Sequence, residues 1–343
     1  MHLGARLLCL HRRNCLTQLT VKRLLSHELT KLILFVVLSF TAAALIAPHL
    51  YTAGKDLAAA HAPLPKDPPF SASPTVWLAE KCDSAEFSRY FNRALMASAL
   101  LLLYPLIRSL RSSGTTEVKP PLKNRINPRA QGWKDIAVGL CLSMGFLILL
   151  GLILQNLGWI TPEEKWNLGK AIRKAIAPAI IVSILEEWLF RGVIFNILMR
   201  KLSTAKTIIS LSLIFAALHF LKPPEGIDVV DPRNALAGFE MLGLIGHKFL
   251  NPASFFGVFL TLFTVGLILA YARHKTGYLW LSIGLHAGWI FSLKTFNKLT
   301  DPTGEAPEIL FNENITDGLL PLATLVLTGS AVYLYLRQKK PML

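Results

Sequence analysis

Charge and cysteine are both scarce in this chain. Charged residues make up 17% of its 343 residues while 52% are hydrophobic, and mean hydropathy is +0.46. Soluble domains carry about 25% charged residues, so the composition is that of a polytopic membrane protein. The four cysteines, Cys9, Cys15, Cys82 and Cys141, are scattered without a CxxC or Cys–His ligand spacing. That argues against a disulfide framework and a structural zinc site; Cys82, expected in an outer loop, is expected to have no partner. There is no Gly-rich phosphate loop, no internal repeat and no His-Glu-x-x-His pair. The lack of repeat symmetry and of a Gly/Pro-broken helix pair argues against a transporter.

Long uncharged apolar runs are abundant: Leu32–Pro48, Ala94–Ile107, Ile136–Ile160, Ala175–Met199 (interrupted by charges), Thr207–Leu221, Pro252–Ala272, Thr276–Leu293 and Gly318–Leu336. A crossing helix needs about 20 residues. The expected fold class is therefore all-α, a polytopic membrane helix bundle of about eight transmembrane spans. Lys and Arg concentrate in the N-terminal arm, the second-to-third, fourth-to-fifth and sixth-to-seventh connections and the tail, whereas the loop before the last span is acidic (Asp301, Glu305, Glu308, Glu313, Asp317). This alternation puts the N and C termini in the cytoplasm. The net charge of +15 reads as topology and contact with anionic membrane lipids, and no nucleic acid partner is expected. The first run is expected to be an uncleaved span. His61–Ser73 is Pro-rich and reads as an extended outer loop, and Lys222–Asn251 as a long outer loop with a short interfacial helix around Ala235–Gly246. The expected divisions are a basic cytoplasmic arm (1–31), N-terminal spans and loops (32–170), a core (171–294), and an outer loop, last span and basic tail (295–343).

Within the fourth run stands Glu186-Glu187-Trp188-Leu189-Phe190-Arg191. Charges at membrane depth are costly and persist where they face a polar cavity or one another. Successive helical residues point about 100° apart, so Glu186 and Glu187 do not share a face. Glu187 reaches Arg191 at i+4, which leaves Glu186 facing the cavity as a general base. An ion pair serving only the helix bundle is the plainer alternative. Two histidines follow, His219 near the end of the fifth run and His286 in the seventh. One intramembrane histidine is commonly an interhelical hydrogen bonder. A glutamate and two histidines on three spans form a set that activates a water and stabilises an oxyanion, or binds a metal. Phe215, one turn before His219, is placed to pack beside the site or in ordinary core.

Glu-Glu-x-x-x-Arg, then Phe215-x-x-x-His219, then His286-Ala after Thr276-Gly-Tyr-Leu-Trp, resembles the CAAX protease and bacteriocin-processing (CPBP/Abi) family of intramembrane endopeptidases. That family includes the type II CAAX prenyl endoprotease of eukaryotes. The stretch Gly266–His286 is especially similar, and the resemblance covers Ala171–Lys294. It implies a helix bundle around a water-filled cavity, with Glu186 as base together with His219 and with His286 stabilising the oxyanion. Glu187, Arg191, Phe215 and Trp289 are the supporting residues. It also implies a membrane-bound protein or peptide substrate, prenylated in some members, and a bacterial cytoplasmic membrane is the expected location. Many members carry His-x-x-x-Asn or Asp in the last motif; this chain has Ile290 there, which neither donates a hydrogen bond nor binds a metal. Trp289 Nε1–H is the substitute donor. The alternative to a protease is a catalytically silent membrane scaffold or immunity-type protein. No cofactor is expected. Zinc held by Glu186, His219 and His286 is the alternative, disfavoured because the His286 segment offers no acidic or imidazole group to orient that ring.

Overall fold

The computed structural model describes residues 28–65, 73–112, 128–164, 167–200, 202–223, 228–250, 256–312 and 315–338. Most of the basic arm with Cys9 and Cys15, the basic residues Lys119, Lys123 and Arg125, the prolines Pro68 and Pro69, and the tail residues Lys339 and Lys340 lie outside the described residues. Among the described residues the protein is all-α apart from one short ribbon. Among the described residues, five helices are long and apolar enough to cross a membrane: Thr30–Ala60, Phe87–Ser109, Gln131–Asn156, Phe256–Thr276 and Leu319–Gln338. Thr204–His219 is apolar but shorter. The fourth and seventh runs of the sequence are also helical; the fourth carries Glu186, Glu187 and Arg191, and the helix of the seventh continues to Lys294 and Lys298.

The chain forms two compact units. The first holds α1 (Glu28–Ala60), α2 (Pro74–Asp83), α3 (Phe87–Ser112) and α8 (Ala237–His247). Ser73 starts α2 by accepting the Val76 N–H at 3.4 Å, with Pro74 in the first turn, where its missing N–H costs nothing. Cys82 lies buried in this helix rather than in a loop, and it is a free thiol. The short helix expected around Ala235–Gly246 is α8, and it packs against α1 so closely that Gly238 leaves no room for a Cβ against Ala44.

The second unit holds α4 (Pro128–Asn156), α5 (Leu168–Glu187), a π-helical turn (Trp188–Ile194), α6 (Phe195–Met199), α7 (Thr204–His219), α9 (Phe256–Thr276), α10 (Trp280–Leu299) and α11 (Leu319–Gln338). A ribbon unannounced by the sequence, β1 (Ile160–Pro162) against β2 (Thr300–Pro302), pairs antiparallel with Ile160 opposite Pro302. Leu150, Leu154, Leu269, Leu281 and Leu285 form the apolar core.

Small residues set the helix spacing that places the site. A Cβ on Gly139 of α4 would lie 2.6 Å from the Leu285 nitrogen and 2.8 Å from the Leu281 oxygen of α10. One on Gly266 of α9 would lie 2.9 Å from Ser212 Cα of α7. Backbone cannot yield at such distances. Gly139→Ala is expected to lower stability by about 1–3 kcal/mol. Gly145→Ala, where a Cβ meets nothing within 4 Å, should be neutral or slightly stabilising. Thermal unfolding of the two detergent-solubilised variants measures the difference.

Candidate active site

All the site residues lie in the second unit. The fourth apolar run is not one regular helix, as the sequence alone suggests. It is α-helical to Glu187 and then widens into a π-turn, closed by the Phe195 N–H donating to the Phe190 carbonyl. π-Turns cost stability and occur frequently at functional sites. Here the turn begins immediately after the two glutamates.

Glu187 and Arg191 form a fully buried ion pair, Arg191 Nη1 donating to Glu187 Oε1 at 2.8 Å with both side chains 0% exposed. Arg191 Nη2 donates to the Gly266 carbonyl of α9 at 3.4 Å, and the guanidinium lies 4.5 Å from the centre of the Phe215 ring, a cation–π contact. Phe215 is a buried plate: its ring centre is 4.4 Å from that of His219 and 6.1 Å from that of His286. Glu187 is therefore held in place, with no exposure to water.

Glu186 differs. Its side chain is 27% exposed, and Oε2 lies 3.7 Å from His219 Nε2 and 3.8 Å from His286 Nε2. That oxygen accepts no hydrogen bond from the described residues. The structure thus brings Glu186, His219 and His286 together from α5, the end of α7 and α10.

Each ring is oriented from behind. His286 Nδ1 is 3.0 Å from Glu187 Oε1, and His219 Nδ1 is 2.8 Å from the Phe215 carbonyl. A carbonyl, and a carboxylate paired with Arg191, only accept, so both Nδ1 atoms are the donors. Rings so fixed present Nε2 toward Glu186. The sequence reading that His286 lacks an orienting acid is corrected here: Glu187, 99 residues earlier in the chain, supplies it. Sequence spacing showed the pairing of Glu187 with Arg191 but not this second contact, because nothing in one sequence reports which helices are neighbours.

Trp289 stands apart. It packs in the apolar core, and its indole N–H is buried without an acceptor among the described residues, so it makes no hydrogen bond to the three site residues. Ile290, one turn after His286, offers no donor. As for a metal, the three side chains have the right donor types, but no group of three or more His, Cys, Asp or Glu among the described residues is arranged to hold an ion.

Residues 169–292 match the family model Rce1-like, type II CAAX prenyl endopeptidase. This Rce1-like segment contains every residue of the site, from Glu186 to Trp289. No curated protein and no solved structure matches the chain. The match covers residues 169–292 alone, and the apolar helices among the described residues are those of an integral membrane protein. Two residues that sequence reasoning passed over also belong to this segment: Gly266, whose carbonyl receives Arg191, and Arg273. Their signal was their spacing of seven residues, two helical turns, inside the stretch that most resembles the family.

Proposed function

We propose that the protein is an intramembrane endopeptidase that hydrolyses a peptide bond with a water activated by Glu186 and His219. The observation that carries the reading is Glu186 Oε2: a carboxylate oxygen beside two imidazole Nε2 atoms with no donor among the described residues. No arginine or lysine among them forms an ion pair with it. In the proposed reaction a water gives a proton to Glu186 as its oxygen attacks the scissile carbonyl carbon, and His219 Nε2 accepts the water's second hydrogen bond. The developing oxyanion is met by Nε2–H of a protonated His286, whose charge Glu187 supports from the other ring nitrogen. Glu186 then passes its proton to the leaving amine as the C–N bond breaks.

The substrate class in this reading is a membrane-bound peptide or protein, prenylated as for the matched family, and the location is the bacterial cytoplasmic membrane. The division of the chain into arm, N-terminal spans, catalytic core and last span is kept within this reading. Purified protein in lipid vesicles, offered farnesylated and unmodified CAAX peptides in ¹⁸O-water, should release products carrying one ¹⁸O at the new carboxyl terminus. No cleavage of either peptide, in protein shown to be folded, would favour the silent scaffold that Ile290 suggests.

The proposal is metal-free, because each atom of the arrangement already has a role in a base-and-oxyanion reaction. In the same vesicles, 1,10-phenanthroline should leave the rate largely unchanged. Loss of activity on chelation, with recovery on adding zinc back, would replace this mechanism while leaving the protease reading intact.

We further propose about eight spans, formed by the five long apolar helices with α5–α6, α7 and α10, and both termini in the cytoplasm. Reporters inserted between Ser112 and Pro128 and after Thr303 are separated by five of these crossings and should report opposite sides. The same side for both would overturn the count.

A further inference from the structure

Arg273, on the last turn of α9, is 6% exposed. Its side chain is spent on backbone carbonyls. Nε donates to the carbonyl of Arg191 at 3.2 Å, and Nη1 donates to the carbonyl of Gly277. The first carbonyl lies in the π-turn. The second lies in the α9–α10 connection, where Gly277 takes φ +74, a conformation suited to glycine, and returns its own N–H to the Arg273 carbonyl at 3.0 Å.

The two acceptors belong to the two elements whose register makes the site. The π-turn follows Glu186 and Glu187 directly. Gly277 opens the short turn into α10, which Thr276 Oγ1 bridges by donating to the Tyr278 carbonyl at 2.9 Å, and the Ile283 N–H donates to the Leu279 carbonyl at 2.8 Å. The π-turn passes close by, since a Cβ on Gly192 would meet Leu279 Cδ1 at 3.8 Å. A widened turn misaligns backbone acceptors, and two consecutive carbonyls here take side-chain donors: that of Arg191 from Arg273, that of Gly192 from Asn196 Nδ2. α9 therefore grips Arg191 twice. The Gly266 carbonyl receives its guanidinium, and Arg273, two turns on, donates to its backbone.

We propose that Arg273 is a positioning residue that sets the register of α10 against the Glu186–Arg191 segment, and so holds His286 Nδ1 on Glu187. Lysine cannot replace it. The guanidinium presents donors in a fixed planar fork, whereas an ammonium is a point charge on a flexible stem, with no rigid geometry to fix the spacing of the two carbonyls. The consequence for catalysis rests on the endopeptidase reading; the geometric claim does not.

The test uses the full chain in lipid vesicles with ¹⁵N-labelled histidine. The Nδ1–H signal of His286 is assigned by its loss in His286→Gln, and that of His219 by its loss in His219→Gln. In Arg273→Lys and Arg273→Ala the His286 signal should be lost to solvent exchange while the His219 signal persists, because His219 is held by the Phe215 carbonyl of its own helix. If the wild type cleaves peptide, Arg273→Lys should lower kcat about a hundredfold, the cost of a misplacement of about 1 Å, with KM little changed. An unchanged His286 signal in both variants overturns the proposal. So does failure of Arg273→Lys to accumulate, or loss of both histidine signals together, since Arg273 would then hold the fold and not the register. A selective loss of the His286 signal in a protein that cleaves nothing would leave Arg273 as a positioning residue and remove the endopeptidase reading.

Discussion

Glu187→Gln will deplete the folded protein, and adding Arg191→Met will bring it back. Glu187 and Arg191 are both fully buried and joined at 2.8 Å. Neutralising one partner leaves the other charge buried without compensation, which costs about 3–5 kcal/mol. That is a large part of the about 5–15 kcal/mol that holds a typical protein folded. Replacing both by neutral groups of similar volume removes the stranded charge, and such exchanges are commonly neutral or better. Thermal unfolding of wild type, both single variants and the double variant gives the coupling between the two residues directly. Activity should not return with abundance. Glutamine at this position still offers His286 Nδ1–H an amide oxygen, but not the negative charge that supports an imidazolium. If the double variant is as depleted as Glu187→Gln, the pair is not the source of the loss. If it recovers cleavage along with abundance, Glu187 has no role through His286.

What the sequence shows and what it hides divide along contact range. The all-α class was legible because long apolar runs form helices, and the adjacency of Glu187 and Arg191 was legible because i+4 is local. Glu186 could be set apart from Glu187 by the same local geometry, and the structure gives that difference a magnitude: 27% exposure against none. The contact between Glu187 and His286 was not legible, because it depends on α10 packing against α5. The placement of α10 is set in turn by Gly139 and Gly284, where α4 and α10 meet and the signal is the absence of a side chain. The π-turn was hidden for a related reason. Trp188–Ile194 has no composition that distinguishes it from an ordinary helical turn; two of its carbonyls are satisfied by Arg273 and Asn196, partners that only the folded chain identifies. Short strands such as Ile160–Pro162 carry too few residues for an alternating pattern to register.

Glu186→Gln should leave folded protein at the wild-type level and remove cleavage. The glutamine is isosteric, and the side chain it replaces makes no ion pair with an arginine or lysine among the described residues: its neighbours are the two imidazole Nε2 atoms at 3.7 and 3.8 Å. An amide there strands no charge, and it can donate to an imidazole nitrogen, so thermal unfolding should be unchanged or slightly improved. The amide cannot take a proton from water near neutral pH. Loss of a general base costs about 10²–10⁴ in rate. The substituted amide would also occupy His219 Nε2 with its own N–H, so cleavage should fall into the assay background. Glu186→Asp tests the geometry separately. It keeps the base but withdraws it by one methylene, and partial activity with an unchanged KM is expected. Full activity in Glu186→Gln would take the base role away from this residue. Equal loss of folded protein in Glu186→Gln and Glu187→Gln would mean that the two carboxylates serve only the packing of the bundle.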